Sequence, residues 1–358
     1  MEELRLMKGN EAFAEAAIRA GCDGYFGYPI TPQSEVMEYL MRERPEKRTG
    51  MIVLQAESEL AAINMVYGGG ACGKRVVTSS SSPGFSLKQE GISYMAGAEL
   101  PCLILNVVRG GPGLGTIQPA QSDYFQSTKG GGHGDYRLIV LAPSSVQEMA
   151  DFVALGFDLS FKYRMPALIL SDGVIGQMME KVVLPEQRPR FTEAEIRKNT
   201  PWATVGKTPD REHNIITSLD LDASRQEKHV LHLQEKYAMV EKNEVRFEKI
   251  QCEDADYILV AYGSSARICQ KAVDLLRAKG LKVGLLRLIT LFPFPKNEIA
   301  ALSEKVKGFM SVEMSLGQMV EDVRLAVNGK VKVEFFGRVG GIIPSPDEVV
   351  RAVETKLL

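Results

Sequence analysis

Cysteine is scarce in this chain of 358 residues, and its spacing excludes the common cysteine-based sites. No C-x-x-C pair occurs. Such a pattern predicts reduced thiols, as in a cytoplasmic protein, and predicts no zinc or iron–sulfur site on this chain. The five cysteines are scattered and are each expected to be small core residues: Cys22, Cys72, Cys102, Cys252 and Cys269.

Strong charge of one sign and long apolar runs are also missing. The net charge is −2, so the composition predicts no nucleic-acid partner. No apolar run is long enough to cross a bilayer, and the first residues lack the basic and apolar regions of a signal peptide. With 45% hydrophobic and 25% charged residues, we expect a soluble, cytoplasmic protein of two domains.

Several catalytic motifs are absent as well. The chain has no Gly-Asp-Gly and no G-x-S-x-G, and its one near match to a P-loop, residues 68–75, has Arg75 where a hydroxyl should bind magnesium. Ser171-Asp172-Gly173, with Asn199 downstream, is interpreted as a strand-end turn, although a ligand role for it stays open. The sequence therefore predicts no metal site on this chain.

Two turns are present that are typical of a ligand site. Residues 26–35 and 54–68 each have a buried strand, a polar turn and a helix, and ligands bind where such parallel strands end. Pro32 suits the first turn of a helix, and Thr31 suits its N-cap. We therefore expect both turns to face one site.

Glu59 is the unusual residue of the second turn. On a helix it shares a face with Ile63 and Val66, a face expected to pack on the sheet. A carboxylate on an apolar face loses solvation and needs a partner. The alternative is that Glu57 and Glu59 are ordinary acids of a first helical turn, stabilised by the helix dipole.

The order of predicted elements indicates two α/β units. Strands alternate with helices over residues 1–185, which predicts a doubly wound parallel sheet. Asn10 is expected to cap the first helix, and residues 79–85 form a serine-rich turn that could bind an anion or a polar ring. Residues 186–250 are predicted to be a charged connector, and residues 251–358 a second α/β domain.

Tyr28-Pro29-Ile30-Thr31-Pro32 followed by Glu59-Leu60-Ala61-Ala62-Ile63 resembles the alpha chain of 2-oxoacid:ferredoxin oxidoreductases. The resemblance covers nearly the whole chain, is most specific over residues 28–134, and is greatest to the 2-oxoisovalerate type. It implies a pyrimidine-type domain that binds thiamine diphosphate (TPP), followed by a transketolase C-terminal-like domain. It also implies an enzyme that converts a 2-oxoacid and CoA to acyl-CoA, with reduction of ferredoxin.

The resemblance also implies roles for individual residues. Glu59 matches the glutamate that hydrogen-bonds N1′ of the cofactor and promotes the tautomer that deprotonates its thiazolium carbon. Thr31 and Arg109 match substrate-binding positions, although Arg109 could instead pair with a loop acid such as Asp123 or Asp135. Cofactor contacts are expected from Pro29, Ile30, Thr31, Glu59 and Ser81.

Partners follow from what the chain lacks. For a member of this family, the missing magnesium and cysteine motifs imply a beta subunit that carries the diphosphate and magnesium site, and iron–sulfur clusters on partner chains. The resemblance also implies a ferredoxin-like small subunit. A dimer of such heteromers is expected. Three alternatives stay open: a 2-oxoglutarate-specific enzyme, half of a split transketolase-type enzyme, and a non-catalytic interaction subunit.

Overall fold

The computed structural model describes residues 3–207, 209 and 212–358. The strands are β1 (Glu3–Lys8), β2 (Gly24–Gly27), β3 (Ile52–Gln55), β4 (Val76–Ser80), β5 (Cys102–Val108), β6 (Ile139–Leu141), β7 (Pro166–Asp172), β8 (Met179–Leu184), β9 (Phe247–Ile250), β10 (Tyr257–Tyr262), β11 (Val283–Leu288), β12 (Thr290–Phe292), β13 (Gly308–Glu313) and β14 (Lys332–Gly337).

The helices alternate with these strands along the chain. They are α1 (Gly9–Arg19), α2 (Ser34–Glu43), α3 (Pro45–Arg48), α4 (Glu59–Ala71), α5 (Ser82–Leu87), α6 (Gln89–Gly97), α7 (Tyr124–Thr128), α8 (Val146–Tyr163), α9 (Gly173–Gln177), α10 (Glu193–Asn199), α11 (Ala223–Asn243), α12 (Gly263–Ala278), α13 (Lys296–Ser303), α14 (Met319–Val327) and α15 (Pro346–Ala352), with a π-turn at Val353–Leu357. Within the described ranges, no helix is both long and apolar enough to cross a bilayer.

The first sheet has seven strands in the order β12-β6-β7-β5-β4-β2-β3, parallel except for β12. Its central strands β5 and β7 are buried along their whole length, as expected for parallel strands covered on both faces. The chain runs from β2 outward to β3 and then returns to β4 on the other side of β2. This reversal makes the carboxyl ends of β2 and β4 the switch point where ligands bind in such sheets.

The second sheet has the order β14-β13-β10-β11-β9, parallel except for β9. Strand β9 lies inside the segment predicted as a connector, and its Phe247 and Ile250 are half-buried between exposed charged residues. That short alternation is hard to see among the neighbouring charges of α11. The predicted domain boundaries remain a prediction.

Strand β12 links the two units. It comes from the second unit in sequence but pairs antiparallel with β6 of the first sheet, with Thr290 opposite Leu141. All three of its residues are buried. Because β6 would otherwise leave unpaired N–H and C=O groups at the sheet edge, β12 covers that edge and joins the two sheets.

Two predicted helix starts are wrong. Helix α1 begins at Gly9 with Lys8 at its N-cap, so Asn10 lies inside the helix and does not cap it. Helix α2 begins at Ser34 with Gln33 at its N-cap, so Thr31 precedes the cap position. The Asn10 side chain donates to Pro32 O, and the Thr31 carbonyl accepts from Arg109 Nη1, so each residue bonds a group that is distant in sequence instead of capping the nearest helix.

Candidate active site

The turn after β2 crosses the switch point and is held by side chains from outside it. Gln33 Nε2 donates to Tyr28 O (3.1 Å), and Asn10 Nδ2 donates to Pro32 O (2.8 Å). Ser79 Oγ donates to Gln33 Oε1 (2.5 Å) and also contacts the buried hydroxyl of Tyr25 (2.7 Å). These bonds fix the backbone of residues 28–33 against β2 and β4.

With its backbone held, this turn leaves its side chains free. The Pro29 and Thr31 side chains are exposed, and Ile30 is half-buried. An exposed proline and threonine at a fixed strand end are available to a ligand or a partner surface. The three residues predicted here as site residues therefore lie on one accessible turn.

Glu59 is the first residue of α4, directly after β3. Ser58 caps the helix, because its hydroxyl accepts a hydrogen bond from the Ala61 amide (3.2 Å). Glu59 is only 6% exposed, and Ile63 and Val66 on the same face are fully buried. Within residues 3–207, 209 and 212–358, no hydrogen bond and no ion pair within 4.0 Å is made by its carboxylate. The predicted apolar face is present, and its acid lacks a close partner.

The turn after β4 approaches the Glu59 carboxylate closely. A Cβ atom at Gly84 would lie 2.4 Å from both Glu59 Oε1 and Ser80 Oγ, so a larger residue there would displace these side chains from their present positions. The Ser80 and Ser81 hydroxyls are buried without a hydrogen-bond partner in the described chain. Buried polar groups normally have partners, so these hydroxyls fit a polar ring bound beside Glu59.

Arg109 follows the end of β5 and is only 8% exposed. Its Nη1 donates to Thr31 O (2.9 Å), and its Nη2 donates to Leu114 O (3.1 Å). Its buried Nε has no partner within the described residues. The structure thus joins two predicted substrate residues, Thr31 and Arg109, and leaves the Nε–H and one N–H on each terminal nitrogen without a hydrogen bond among the described residues.

The alternative pairing of Arg109 with a loop acid is wrong for Asp123. That carboxylate instead accepts from Ser82 Oγ (2.8 Å) and Asn106 Nδ2 (2.9 Å). Burial raises the pKa of Asp123, and these two hydrogen bonds partly offset the effect. Among the residues that the structure describes, Arg109 forms no ion pair within 4.0 Å.

Asp172 belongs to the structural framework. Its Oδ1 accepts from the amides of Val174 (2.9 Å) and Ile175 (3.2 Å), and its Oδ2 accepts from Ser264 Oγ (2.6 Å). Burial raises the pKa of Asp172, while these hydrogen bonds oppose the shift. Both oxygens are used, which supports the strand-end turn over a ligand site. The described ranges contain no cluster of three acidic, histidine or cysteine ligands for a metal.

Sequence reasoning did not assign three residues that shape this site. Gln33 and Ser79 hold the turn after β2, and Lys88 lies buried at the end of α5, which follows the turn after β4. The available signal for Lys88 was a single cation in the otherwise uncharged stretch 76–89. Gln33 and Ser79 gave no such signal, because their partners are 46 residues apart in sequence.

Family models match both units of this chain. The thiamine diphosphate-binding model of pyruvate flavodoxin/ferredoxin oxidoreductases matches residues 15–250, and core domain II of pyruvate:ferredoxin oxidoreductase matches residues 255–349. The chain belongs to the 2-oxoacid:ferredoxin oxidoreductase family. The chain is 52% identical to the ketoisovalerate oxidoreductase subunit VorB of Methanothermobacter marburgensis, over 98% of this chain and 97% of that protein.

The chain is also similar, at lower identity, to other proteins of known name or structure. The chain is 36% identical to the 2-oxoglutarate synthase subunit KorA of Methanocaldococcus jannaschii, over 98% of this chain and 99% of that protein. The 2-oxoglutarate:ferredoxin oxidoreductase of Magnetococcus marinus superposes with a TM-score of 0.86 at 27% identity; the match covers all of this chain and 66% of that one. A split-gene transketolase (TM-score 0.60, 13% identity, 98% of each chain) shares the fold alone.

The family and the fold confirm the sequence-based predictions of a TPP-type domain followed by a transketolase-like domain. The chain is an oxidoreductase subunit that acts on 2-oxoacids. The roles predicted for individual residues remain predictions, and they are developed below from the geometry.

Proposed function

We propose that this chain is the alpha subunit of a 2-oxoisovalerate:ferredoxin oxidoreductase and that it holds the pyrimidine half of TPP. The observation that carries the proposal is Glu59, a buried carboxylate at the switch point without a hydrogen-bonded partner in the described residues. The unpartnered hydroxyls of Ser80 and Ser81 lie on the turn that approaches it. Together these groups offer one acid and two hydroxyls to a heteroaromatic ring.

Glu59 would exchange a proton with N1′ of the pyrimidine. The helix α4 fixes the carboxylate, and its burial keeps water from competing for that proton. When bound, the cofactor supplies the carbanion chemistry of 2-oxoacid decarboxylation, and the protein orients it and tunes its charge. Ile30 and Pro29 would border the ring from the turn opposite.

Arg109 would bind the carboxylate of the 2-oxoacid. Its guanidinium is already oriented by two carbonyl oxygens, Thr31 O and Leu114 O, so its remaining N–H groups can take substrate oxygens with little further ordering. The exposed Thr31 hydroxyl would donate to the substrate from the neighbouring position.

A branched-chain substrate is favoured for two reasons. The chain is more similar to a ketoisovalerate oxidoreductase subunit, at 52% identity, than to 2-oxoglutarate synthase subunits, at 36%. In addition, 2-oxoglutarate would need a second cation for its distal carboxylate, and no such cation could be assigned from the sequence. 2-Oxoglutarate is the second candidate substrate.

The complete enzyme would need other chains. A beta subunit would carry the magnesium and diphosphate site, and a ferredoxin-like subunit the iron–sulfur clusters that pass electrons to ferredoxin. The assembly would be a cytoplasmic dimer of heteromers. The relatives are named as subunits, which supports the need for partners, while the stoichiometry belongs to the proposal.

The test is a steady-state assay of the purified complex with CoA, ferredoxin and each of 2-oxoisovalerate, 2-oxoglutarate and pyruvate. We expect the highest kcat/KM for 2-oxoisovalerate, strict dependence on CoA, and bound iron in the complex. A higher kcat/KM for 2-oxoglutarate would replace the proposed substrate. Turnover without iron or an electron acceptor would instead favour a split transketolase-type enzyme.

The isolated chain provides a second test. We expect weak binding of TPP and magnesium by this chain alone, because the diphosphate carries most of the cofactor charge and would be bound by the beta subunit. Calorimetry on the isolated chain and on the complex compares the two affinities. Tight, magnesium-dependent binding by the isolated chain would contradict the shared site and reopen a ligand role for Asp172.

A further inference from the structure

Lys88 is a fully buried lysine with a single acceptor. It lies between α5 and α6, and its Nζ donates to Thr78 Oγ1 (2.7 Å). Within the described residues it makes no ion pair within 4.0 Å. An ammonium group with one neutral acceptor is costly to bury, and a methionine or leucine could fill similar space without that cost. Its presence needs a reason beyond packing.

Glu59 is the carboxylate whose charge acts on Lys88. Thr78 and Ser80 are two residues apart on β4, so their side chains point to the same face. Ser80 Oγ and Glu59 Oε1 both border the position that a Gly84 Cβ would occupy, and Lys88 follows Gly84 by four residues, about one helical turn. The polar groups of Lys88, Thr78, Ser80 and Glu59 therefore form one buried cluster, which reaches the surface only at the Glu59 end.

The charge of Lys88 responds to this cluster. Burial lowers the pKa of Lys88 to about 7, while the Glu59 carboxylate and the Cys102 thiol act in the opposite direction. Those two are the titratable groups of α4 and β5 that act on it, and Thr78 of β4 is neutral. As the pH rises through about 7, Lys88 loses its charge and no longer compensates the charge of Glu59.

We propose that Lys88 is a positioning residue for Glu59: its ammonium compensates the charge of the Glu59 carboxylate and orients it toward the cofactor site. This inference rests on the function proposed above. The active form of the pair is the ammonium with the carboxylate, and it carries no net charge. Loss of the ammonium leaves the Glu59 carboxylate without a compensating charge in a poorly solvated position.

The first test is the pH profile of kcat/KM in the purified complex, with Lys88→Met as the variant. Methionine keeps most of the length and is apolar. In the wild-type complex we expect kcat/KM to fall as pH rises through about 7. In Lys88→Met we expect a loss of about ten- to a hundredfold at neutral pH, and the alkaline decline governed by Lys88 should disappear. A variant within twofold of wild type at every pH would overturn the proposal.

The second test reads the Glu59 carboxyl directly and does not depend on turnover. Infrared difference spectroscopy of the cofactor-free complex follows the C=O stretch of protonated carboxyls with pH, and Glu59→Gln identifies the contribution of Glu59. In Lys88→Met we expect the pH range of the Glu59 band to differ from that of the wild-type complex, because the cation that compensates the carboxylate is gone. An unmoved band would show that Lys88 has only a packing role.

Two further variants guard against a simple folding defect. Thr78→Val keeps the volume but removes the acceptor of Lys88 Nζ, so the alkaline decline should move to lower pH; an unmoved decline contradicts the proposal even if Lys88→Met fails to fold. Lys236→Met is the matched control, because Lys236 is also buried but pairs with Glu99 (2.9 Å), outside this cluster. It should change thermal stability and leave the pH profile unchanged.

The failure of this inference is distinguishable from failure of the proposed function. If the unmodified complex does not oxidise any 2-oxoacid, the proposed function fails. If it does, and Lys88→Met retains the wild-type profile and carboxyl band, the role of Lys88 alone is wrong. A pH-independent loss in Lys88→Met, equal to that in Lys236→Met, also contradicts a role through Glu59.

Discussion

Glu59 and Glu313 are two buried glutamates at comparable places in the two sheets. Glu59 begins α4 just after β3, and Glu313 ends β13 just before α14. Glu59 is 6% exposed and Glu313 is fully buried. Both carboxylates therefore lie where a parallel strand gives way to a helix, the usual place for an anion or a ligand.

The two carboxylates differ in what they bind. Within the described residues, Glu59 accepts no hydrogen bond, whereas Glu313 accepts five. The donors to Glu313 are two hydroxyls and three amides at the start of α14: Ser311 Oγ, Ser315 Oγ, Gln318 N, Met319 N and Val320 N. In the second unit, the Glu313 carboxylate therefore occupies the position at the start of α14 where an external anion could bind.

This difference separates a structural acid from a functional one. A buried carboxylate with five donors stabilises the fold, because its lost hydration is replaced. A poorly solvated carboxylate without such donors lowers stability and is retained where a ligand completes it. Burial alone would have treated the two glutamates as equivalent, and the count of donors distinguishes them.

The largest expected effect comes from Glu59→Gln. Glutamine has nearly the same shape but cannot take up and return a proton, and loss of a positioned acid–base group costs about 10²- to 10⁴-fold in rate. The complex should fold with a thermal stability no lower than that of the wild type and lose 2-oxoacid turnover by that factor. Glu57→Gln is the control, because Glu57 is exposed two residues earlier and should keep activity. Turnover by Glu59→Gln within a few-fold of wild type would make Glu59 as structural as Glu313.

A smaller effect is expected from Arg109→Lys. Lysine keeps the charge but cannot bind Thr31 O and Leu114 O while it also holds a carboxylate, so a charge-assisted pair is weakened. We expect about a ten- to hundredfold loss in kcat/KM for the 2-oxoacid, mostly through KM, with TPP affinity nearly unchanged. Arg267→Lys is the control, since Arg267 also donates to a carbonyl, Ser144 O (3.0 Å), away from this site. A loss confined to TPP binding would remove Arg109 from the substrate site.

Helical periodicity and apolar runs predicted those features of the fold that depend on a few neighbouring residues. The apolar face of Glu59, Ile63 and Val66 follows from helical periodicity, and α4 buries all three. Buried strands such as β5 and β7 follow from continuous apolar runs. The ligand-binding edge of the first sheet could therefore be located from sequence. The strand before the second turn was also predicted to be buried, which is wrong: β3 is an edge strand and is mostly exposed.

Long-range hydrogen bonds could not be predicted in this way. Asparagine is a common helix cap, but the side-chain amide of Asn10 donates to Pro32 O, 22 residues away in sequence. The pairing of Lys88 with Thr78, and of β12 with β6, depends on strand order, which single-sequence patterns do not specify. The same holds for Glu313, whose donors became visible only once β13 and α14 were placed.

The smallest effect on turnover is expected from Glu313→Gln, which tests the other half of the comparison. The amide –NH₂ of glutamine would face amides and hydroxyls that donate to the carboxylate, so at least one donor at the start of α14 would lose its acceptor. We expect a loss of about 2–4 kcal/mol in stability, measured as a lower thermal midpoint of the complex. Turnover per folded complex should stay within about twofold, because the substitution lies outside the Glu59 site. Equal thermal midpoints of Glu313→Gln and wild type would show that the five hydrogen bonds contribute little. A large loss of turnover without a loss of stability would mean that Glu313, too, acts in the reaction.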